Sequence, residues 1–177
     1  MKKGEYMKEI RNDHCTEDNI FLYRLMLFSK ALWKAVEKDW ENWLSPFNLT
    51  INEHHILWLA YISRGATITE ISKLGVMHQS TVFSSSKRLK GLGYLEFRKG
   101  TDKRITYIHI TTEGERILFK TVENFNPLEK EIYSGVIPFK NTFGKNPEII
   151  EIQSIIKHIY GKEFLDFINQ TSKININ

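Results

Sequence analysis

The chain has 177 residues, 41% hydrophobic and 26% charged, which suits one domain with a sizeable core and excludes two large ones. Twenty-five Lys and Arg against 21 Asp and Glu leave +4, and no apolar run approaches the roughly 18–20 residues of a membrane span. Charges continue from Lys2 with no apolar segment behind them, and Cys15 is the single cysteine, so neither a secretory signal nor a disulfide or multi-cysteine zinc site is expected. A reduced, cytoplasmic protein without cofactor or metal is predicted.

Residues 1–17 are polar and aperiodic and read as a tail. From about Asn19 to Leu44, Leu25, Leu32, Val36, Trp40 and Trp43 recur at helical spacing, and Leu22, Met26 and Trp33 add a second stripe. A helix apolar on more than one face needs cover on two sides, so a dimerisation helix is expected, ended by Ser45-Pro46. Thr50-Ile51-Asn52-Glu53 has the form of a capping box and opens a helix through Ile56, Leu57 and Ala60, with Gly65 expected to end it in left-handed geometry. Thr67-Ile68-Thr69-Glu70 repeats the box ahead of Ile71 and Leu74. After the turn Val76-Met77-His78, a third helix is expected from about Gln79 to Leu92.

The period then changes to two. Leu95 and Phe97 alternate with polar neighbours, Lys99-Gly100-Thr101-Asp102-Lys103 forms a turn, and Thr106, Ile108 and Ile110 alternate on the return. Thr112-Glu113-Gly114-Glu115 reads as a third capping box, opening a helix to about Phe125. Asn126 to Pro147 holds three of the four prolines and reads as an extended connection. Helices at about Glu148–Tyr160 and Glu163–Thr171 follow. The predicted fold is mainly α, a winged helix-turn-helix between helical layers. Its parts are a tail over 1–17, a dimerisation helix over 18–48, a DNA-binding domain over 49–112 and C-terminal dimerisation helices over 113–177.

Charge is concentrated in one segment. Between Gln79 and Tyr107 stand Lys87, Arg88, Lys90, Arg98, Lys99, Lys103 and Arg104 against only Glu96 and Asp102, leaving +5 there and −1 elsewhere. Such a concentrated positive field suits a polyanion.

The chain resembles the MarR family of bacterial transcription regulators over nearly its whole length. The family's wing motif, Asp-x-Arg followed by a strand and Leu/Ile-Thr-x-x-Gly, is present as DKRITYIHITTEG (Asp102 to Gly114). The helix-turn-helix is present as ITEISKLGVMHQSTVFSSSKRLKGLGYL (Ile68 to Leu95). Within the family the chain is most similar to the Hpr/ScoC group, through SKALWKAVEKDW (Ser29–Trp40), INEHHILWLAY (Ile51–Tyr61), GVMHQST (Gly75–Thr81) and FGKNPE (Phe143–Glu148). The triplet Ser84-Ser85-Ser86 departs from the Arg or bulkier polar groups of many members. The resemblance therefore carries over the family's function but not an operator sequence.

It implies a homodimeric repressor of stationary-phase genes, such as extracellular protease and sporulation genes, acting on a pseudo-palindromic double-stranded DNA operator. Arg104 at the wing would enter the minor groove, oriented by a salt bridge from Asp102, with Lys99 and Lys103 on phosphates. With Val82, Ser86 and Leu89 facing inward, the third helix presents Gln79, Ser80, Thr81, Ser84 and Ser85 to base edges, unless Ser80 or His78 only caps the helix. Lys87, Arg88 and Lys90 are expected on phosphates.

Other features read as structural. Glu53-His54-His55 is assigned to packing or capping, because adjacent helical residues diverge by about 100°. Trp33, Trp40, Trp43 and Trp58 are core or line a pocket for a small-molecule effector, and Cys15 lies in the tail. No spacing for enzyme chemistry is present. Two readings stand beside the repressor: a sensor released from DNA by a small aromatic molecule, and a protein-interaction module that has lost DNA binding.

Overall fold

The computed structural model describes residues 16–171, and Cys15 with most of the tail lies outside them. Helix α1 runs from Glu17 to Leu44, opened by the Thr16 hydroxyl accepting the Asn19 N–H and ended by a 3-10 turn over Ser45–Phe47. Helices α2 (Ile51–Ser63), α3 (Ile68–Leu74) and α4 (Gln79–Gly91) follow. Strands β2 (Leu95–Lys99) and β3 (Thr106–Ile110) form an antiparallel hairpin, and the two-residue β1 (Ala66–Thr67) adds to β3, giving the order β1-β3-β2. The chain closes with α5 (Thr112–Glu123), α6 (Glu131–Phe143), α7 (Ile150–Tyr160) and α8 (Lys162–Thr171).

The core lies where α2 to α5 meet the hairpin. Ile56, Leu57, Leu59, Ile71, Val82, Leu89 and Leu118 are fully buried there, with Leu44 from the end of α1. Both predicted capping boxes of α2 and α3 are closed: the Thr50 and Thr67 hydroxyls accept the N–H of Glu53 and Glu70, whose carboxylates accept the threonine N–H groups in return.

Three local expectations are corrected. Helix α2 is ended by Arg64, at φ 51°, rather than by Gly65, whose φ is +125°. Gly65 is needed for a second reason, since a Cβ there would fall 2.2 Å from the His109 ring. Helix α5 is capped one residue earlier than the sequence suggests. The Thr111 hydroxyl accepts the Gly114 N–H at 3.0 Å, which puts glycine where a capping box needs Glu or Gln. Gly114 is buried, and a Cβ there would sit 2.1 Å from the Tyr94 carbonyl oxygen, so α5 starts in direct contact with the entry to β2.

The third correction is larger. The supposed extended connection contains α6, with Pro138 inside it. A proline removes one helical hydrogen bond, but the start of this helix is secured from elsewhere. Asp39 of α1 accepts the N–H groups of Glu131 and Ile132, each at 2.9 Å, and Lys38 pairs with Glu131 at 2.8 Å. The Ile132 N–H is the main reason that the Asp39 carboxyl titrates below its ordinary range, helped by that of Glu131 against partial burial.

Helix α1 is also tied to the core by a buried polar chain. The Trp40 Nε1–H donates to His54 Nδ1 at 3.3 Å, which leaves the His54 Nε2–H to donate to Thr121 Oγ1 at 3.0 Å. The Thr121 hydroxyl donates in turn to the Leu118 carbonyl at 2.6 Å, and the Trp43 Nε1–H donates to the Thr121 carbonyl at 2.7 Å. Three helices, α1, α2 and α5, are thereby joined, and every polar atom named has a partner. Away from this junction α1 exposes Phe21, Tyr23, Met26 and Phe28, and α7 exposes Ile150, Ile152 and Ile159. Among the described residues no helix is long and apolar enough to cross a membrane.

Candidate nucleic-acid interface

Helix α4 is amphipathic in the predicted sense. Val82, Ser86 and Leu89 are fully buried, Gln79, Ser80, Ser84, Lys87 and Lys90 are exposed, and Thr81 and Ser85 are half-buried at the margin. Its N-cap residue, His78, makes no side-chain capping bond, and Ser80 lies inside the first turn, so neither acts as the expected cap. Among the described residues the first turn of α4 thus has no side-chain cap from its N-cap residue, at the positive end of the helix dipole. Ser84 is partly self-satisfied, its hydroxyl donating to the Thr81 carbonyl at 3.1 Å.

The basic side chains divide into two groups. Lys87 holds its ammonium 4.3 Å from the Phe83 ring centroid, Lys90 lies 5.0 Å from that of Phe97, and Lys99 donates to Thr106 Oγ1 at 3.0 Å. Each keeps a positive head at the surface with donors to spare. Arg88 is different. Its guanidinium donates to Glu53 at 2.6 Å and to the Asn48 carbonyl at 3.2 Å, on the side of α4 facing the start of α2. Arg88, expected on a phosphate, is engaged in an internal tie to Glu53, which is nearly buried and needs a cation, while 42% of its own side chain stays exposed.

At the wing, Lys103 and Arg104 are exposed at the tip of the hairpin. The expected salt bridge from Asp102 is absent among the described residues. The Asp102 carboxylate instead accepts the Arg104 backbone N–H at 2.9 Å, and its carbonyl accepts the Ile105 N–H at 2.9 Å. Asp102 thus folds the loop, an Asx-type turn, and among the described residues the Arg104 guanidinium has no acidic partner. Arg98, further back on β2, is paired with Glu96.

Sequence reading did not find Phe83 or the Glu53–Arg88 pair. Phe83 lies four residues before Lys87 and off the buried stripe, a signal that was available. Glu53 is 35 residues from Arg88, and nothing in the linear pattern joins them. Glu53-His54-His55 is structural as expected: Glu53 caps and pairs, His54 sits in the polar chain, and His55 packs beside Trp40.

The pair has a measurable consequence. Glu53→Gln and Arg88→Gln should each lower stability by roughly 1–3 kcal/mol, below the full cost of breaking a buried pair because Arg88 is partly exposed. The double variant should cost clearly less than the sum of the two, read from urea midpoints at constant slope. Additive losses would show that the two side chains are energetically independent.

Three helices with a two-stranded wing, and surplus positive charge concentrated on α4 and the hairpin, define a winged helix-turn-helix protein. The pattern of the MarR family matches residues 49–106, and the chain belongs to that family. The HTH-type transcriptional regulator Hpr of Geobacillus thermodenitrificans is 48% identical over 155 residues, covering 87% of this chain and 78% of that protein. The DNA-binding transcriptional repressor ScoC of Bacillus subtilis is 48% identical over 158 residues, covering 89% and 77%. Among solved structures, the transcriptional regulator BldR from Sulfolobus solfataricus has a TM-score of 0.63 at 17% identity, covering 82% of this chain and 97% of that one. A MarR variant from E. coli complexed with operator DNA has a TM-score of 0.58 at 17% identity, covering 82% and 99%. These two structures establish the shared fold.

Proposed function

We propose that this chain is a cytoplasmic homodimeric repressor that binds pseudo-palindromic operators, with α4 in the major groove and the wing in the adjacent minor groove. The observation carrying this reading is that the +5 segment falls entirely on α4 and the hairpin, with the Arg104 guanidinium at the tip left, among the described residues, without an acidic partner. Gln79, Ser80, Thr81, Ser84 and Ser85 read or approach base edges, while Lys87, Lys90, Lys99 and Lys103 meet phosphates and set the register. A narrow, A·T-rich minor groove concentrates negative potential and favours an inserted Arg104. Two copies of α4 spaced by one helical turn, about 34 Å, would read the two half-sites, and the bound dimer would exclude polymerase. The similarity to ScoC, named a repressor, supports the sign of regulation, and the resemblance to the Hpr/ScoC group supports stationary-phase targets such as protease and sporulation genes.

The dimer layer is assigned to 18–48 and 113–177, because α1 and α7 expose the apolar residues that a single chain cannot cover. Light scattering at micromolar concentration should give twice the mass of 20.9 kDa. A monomer at that concentration would remove the two-half-site mechanism.

A second reading is favoured by one feature. Val36, Trp40, Trp43, Phe125 and Ile132 line a mostly apolar cavity of about 320 Å³ that Asp39 and Lys130 also border, between α1 and the start of α6. Its size suits a small aromatic effector, and only two of the four tryptophans form it. Trp58 packs on Tyr61 and His54 instead, and Trp33 is half exposed on α1. Quenching of tryptophan fluorescence by benzoate together with loss of operator binding would support gating. Quenching without release would not.

A further inference from the structure

Phe83 stands apart from every other outward-facing residue of α4. The helix buries its aliphatic residues, Val82 and Leu89, together with Ser86, and otherwise presents Gln, Ser, Lys, Arg and Gly, with Thr81 half-buried at the margin. Phe83 is 44% exposed, one turn after Gln79 and one turn before Lys87. An exposed phenyl surface is unfavourable in water, and Phe83 does not belong to the core cluster. Its one aromatic or cationic neighbour among the described residues is the Lys87 ammonium, 4.3 Å from the ring centroid.

That arrangement suits a particular target. Ser80 and Ser84, which flank Phe83 on the outward face, are short, so Phe83 reaches beyond them when α4 approaches a surface. A phenyl ring has no hydrogen-bonding group and cannot answer the donors and acceptors of base edges. The one apolar group that a base pair offers in the major groove is the C5-methyl of thymine. Lys87 covers the ring from one side with a positive head, which a neighbouring phosphate would neutralise. Phe83 and Lys87 therefore form a two-part contact, an apolar reader beside a phosphate anchor.

We propose that Phe83 is a specificity-determining residue that reads a thymine C5-methyl group in each operator half-site. The inference rests on the DNA-binding function proposed above. It assigns sequence selectivity to an apolar contact, on a helix whose polar residues are mostly serines with broad base preference.

The test replaces thymine by deoxyuracil, which deletes only the methyl. The probe is a duplex enriched from a random library by the intact protein, with deoxyuracil introduced at one symmetric pair of thymines at a time. Burying one methyl group is worth about fourfold in binding, so one symmetric pair of substitutions should cost the unaltered protein about 15-fold. Phe83→Ala should bind the two duplexes equally at that position. Phe83→Leu should keep most of the discrimination, and neither variant should alter the dependence of affinity on salt, since no phosphate contact is lost. Because Phe83 is exposed, both variants should retain the circular dichroism spectrum and thermal midpoint of the parent.

A selected duplex whose methyl sensitivity is the same in the parent and in Phe83→Ala at every position overturns this inference and leaves the proposed function intact. Failure of the parent to select any duplex overturns the proposed function, and the assignment of Phe83 with it.

Discussion

Replacing Arg104 by Ala is expected to weaken operator binding at least tenfold without changing helical content. The tip of the wing presents this side chain with no acidic partner among the described residues, because Asp102 is occupied with the backbone of its own loop. A guanidinium in a narrow minor groove gains from the focused phosphate potential as well as from hydrogen bonds, and a dimer loses two such contacts in one substitution. Arg104→Lys should recover only part of the loss, since a compact, strongly hydrated ammonium sheds water less readily than a planar guanidinium. Asp102→Ala tests the other half of the geometry. It should reduce affinity less than Arg104→Ala, by loosening the loop while leaving the charge in place. Fluorescence anisotropy of a labelled duplex gives the affinities, and far-ultraviolet circular dichroism reports the fold. Comparable affinity in Arg104→Ala would remove the wing from the interface.

Acid should destabilise this protein well above the pH at which its carboxylates protonate. His54 is 1% exposed and held neutral, with its ring nitrogens committed to Trp40 and Thr121. Burial, with a smaller contribution from neighbouring His55, lowers its pKa from 6.5 to about 3. His55 is shifted in the same direction by burial. In the unfolded chain both rings take up a proton near pH 6.5, whereas the folded protein resists it. The stability that His54 contributes is therefore complete above pH 6.5 and is lost as pH falls toward 3. The loss approaches 1.4 kcal/mol per pH unit for one such group, or about 2–3 kcal/mol between pH 6.5 and 4.5. Urea midpoints across this range should fall steeply. His54→Gln, which keeps hydrogen-bonding capacity without a titrating group, should flatten the curve while lowering stability at pH 8. An unchanged pH dependence in His54→Gln would show that this histidine does not carry the effect.

The parts of the fold that could be read from sequence are those whose signals are local. The caps at Thr50 and Thr67, the apolar stripe of α4 and the period-two alternation of the hairpin each lie within a few residues of one another. All three are present in the structure, as are the mainly helical fold and the winged helix-turn-helix order. What could not be read depends on distant partners. Helix α6 is hidden by Pro138 and by flanking prolines and glycines, and its N-terminus is capped by Asp39 from 92 residues earlier. Arg88 reads as one more surface cation until Glu53 is brought beside it. Thr111 and Thr112 are adjacent and both able to cap, and only the Gly114 contact with Tyr94 shows which of them does. At the candidate interface, charge and exposure of side chains were legible, whereas the partner of each charge was not. Asp102 therefore reads as a partner for the Arg104 side chain and is found on its backbone.

Selection of bound duplexes from a random DNA library, repeated at two salt concentrations, tests the central claim most directly. The account predicts a two-fold-symmetric site with half-sites about 10 base pairs apart, and an affinity on the order of 10⁻⁸ M or tighter that falls steeply with added salt. Enrichment of no motif, with salt-sensitive binding alone, would contradict sequence-specific repression. No binding at either salt concentration would leave a protein-interaction module in its place.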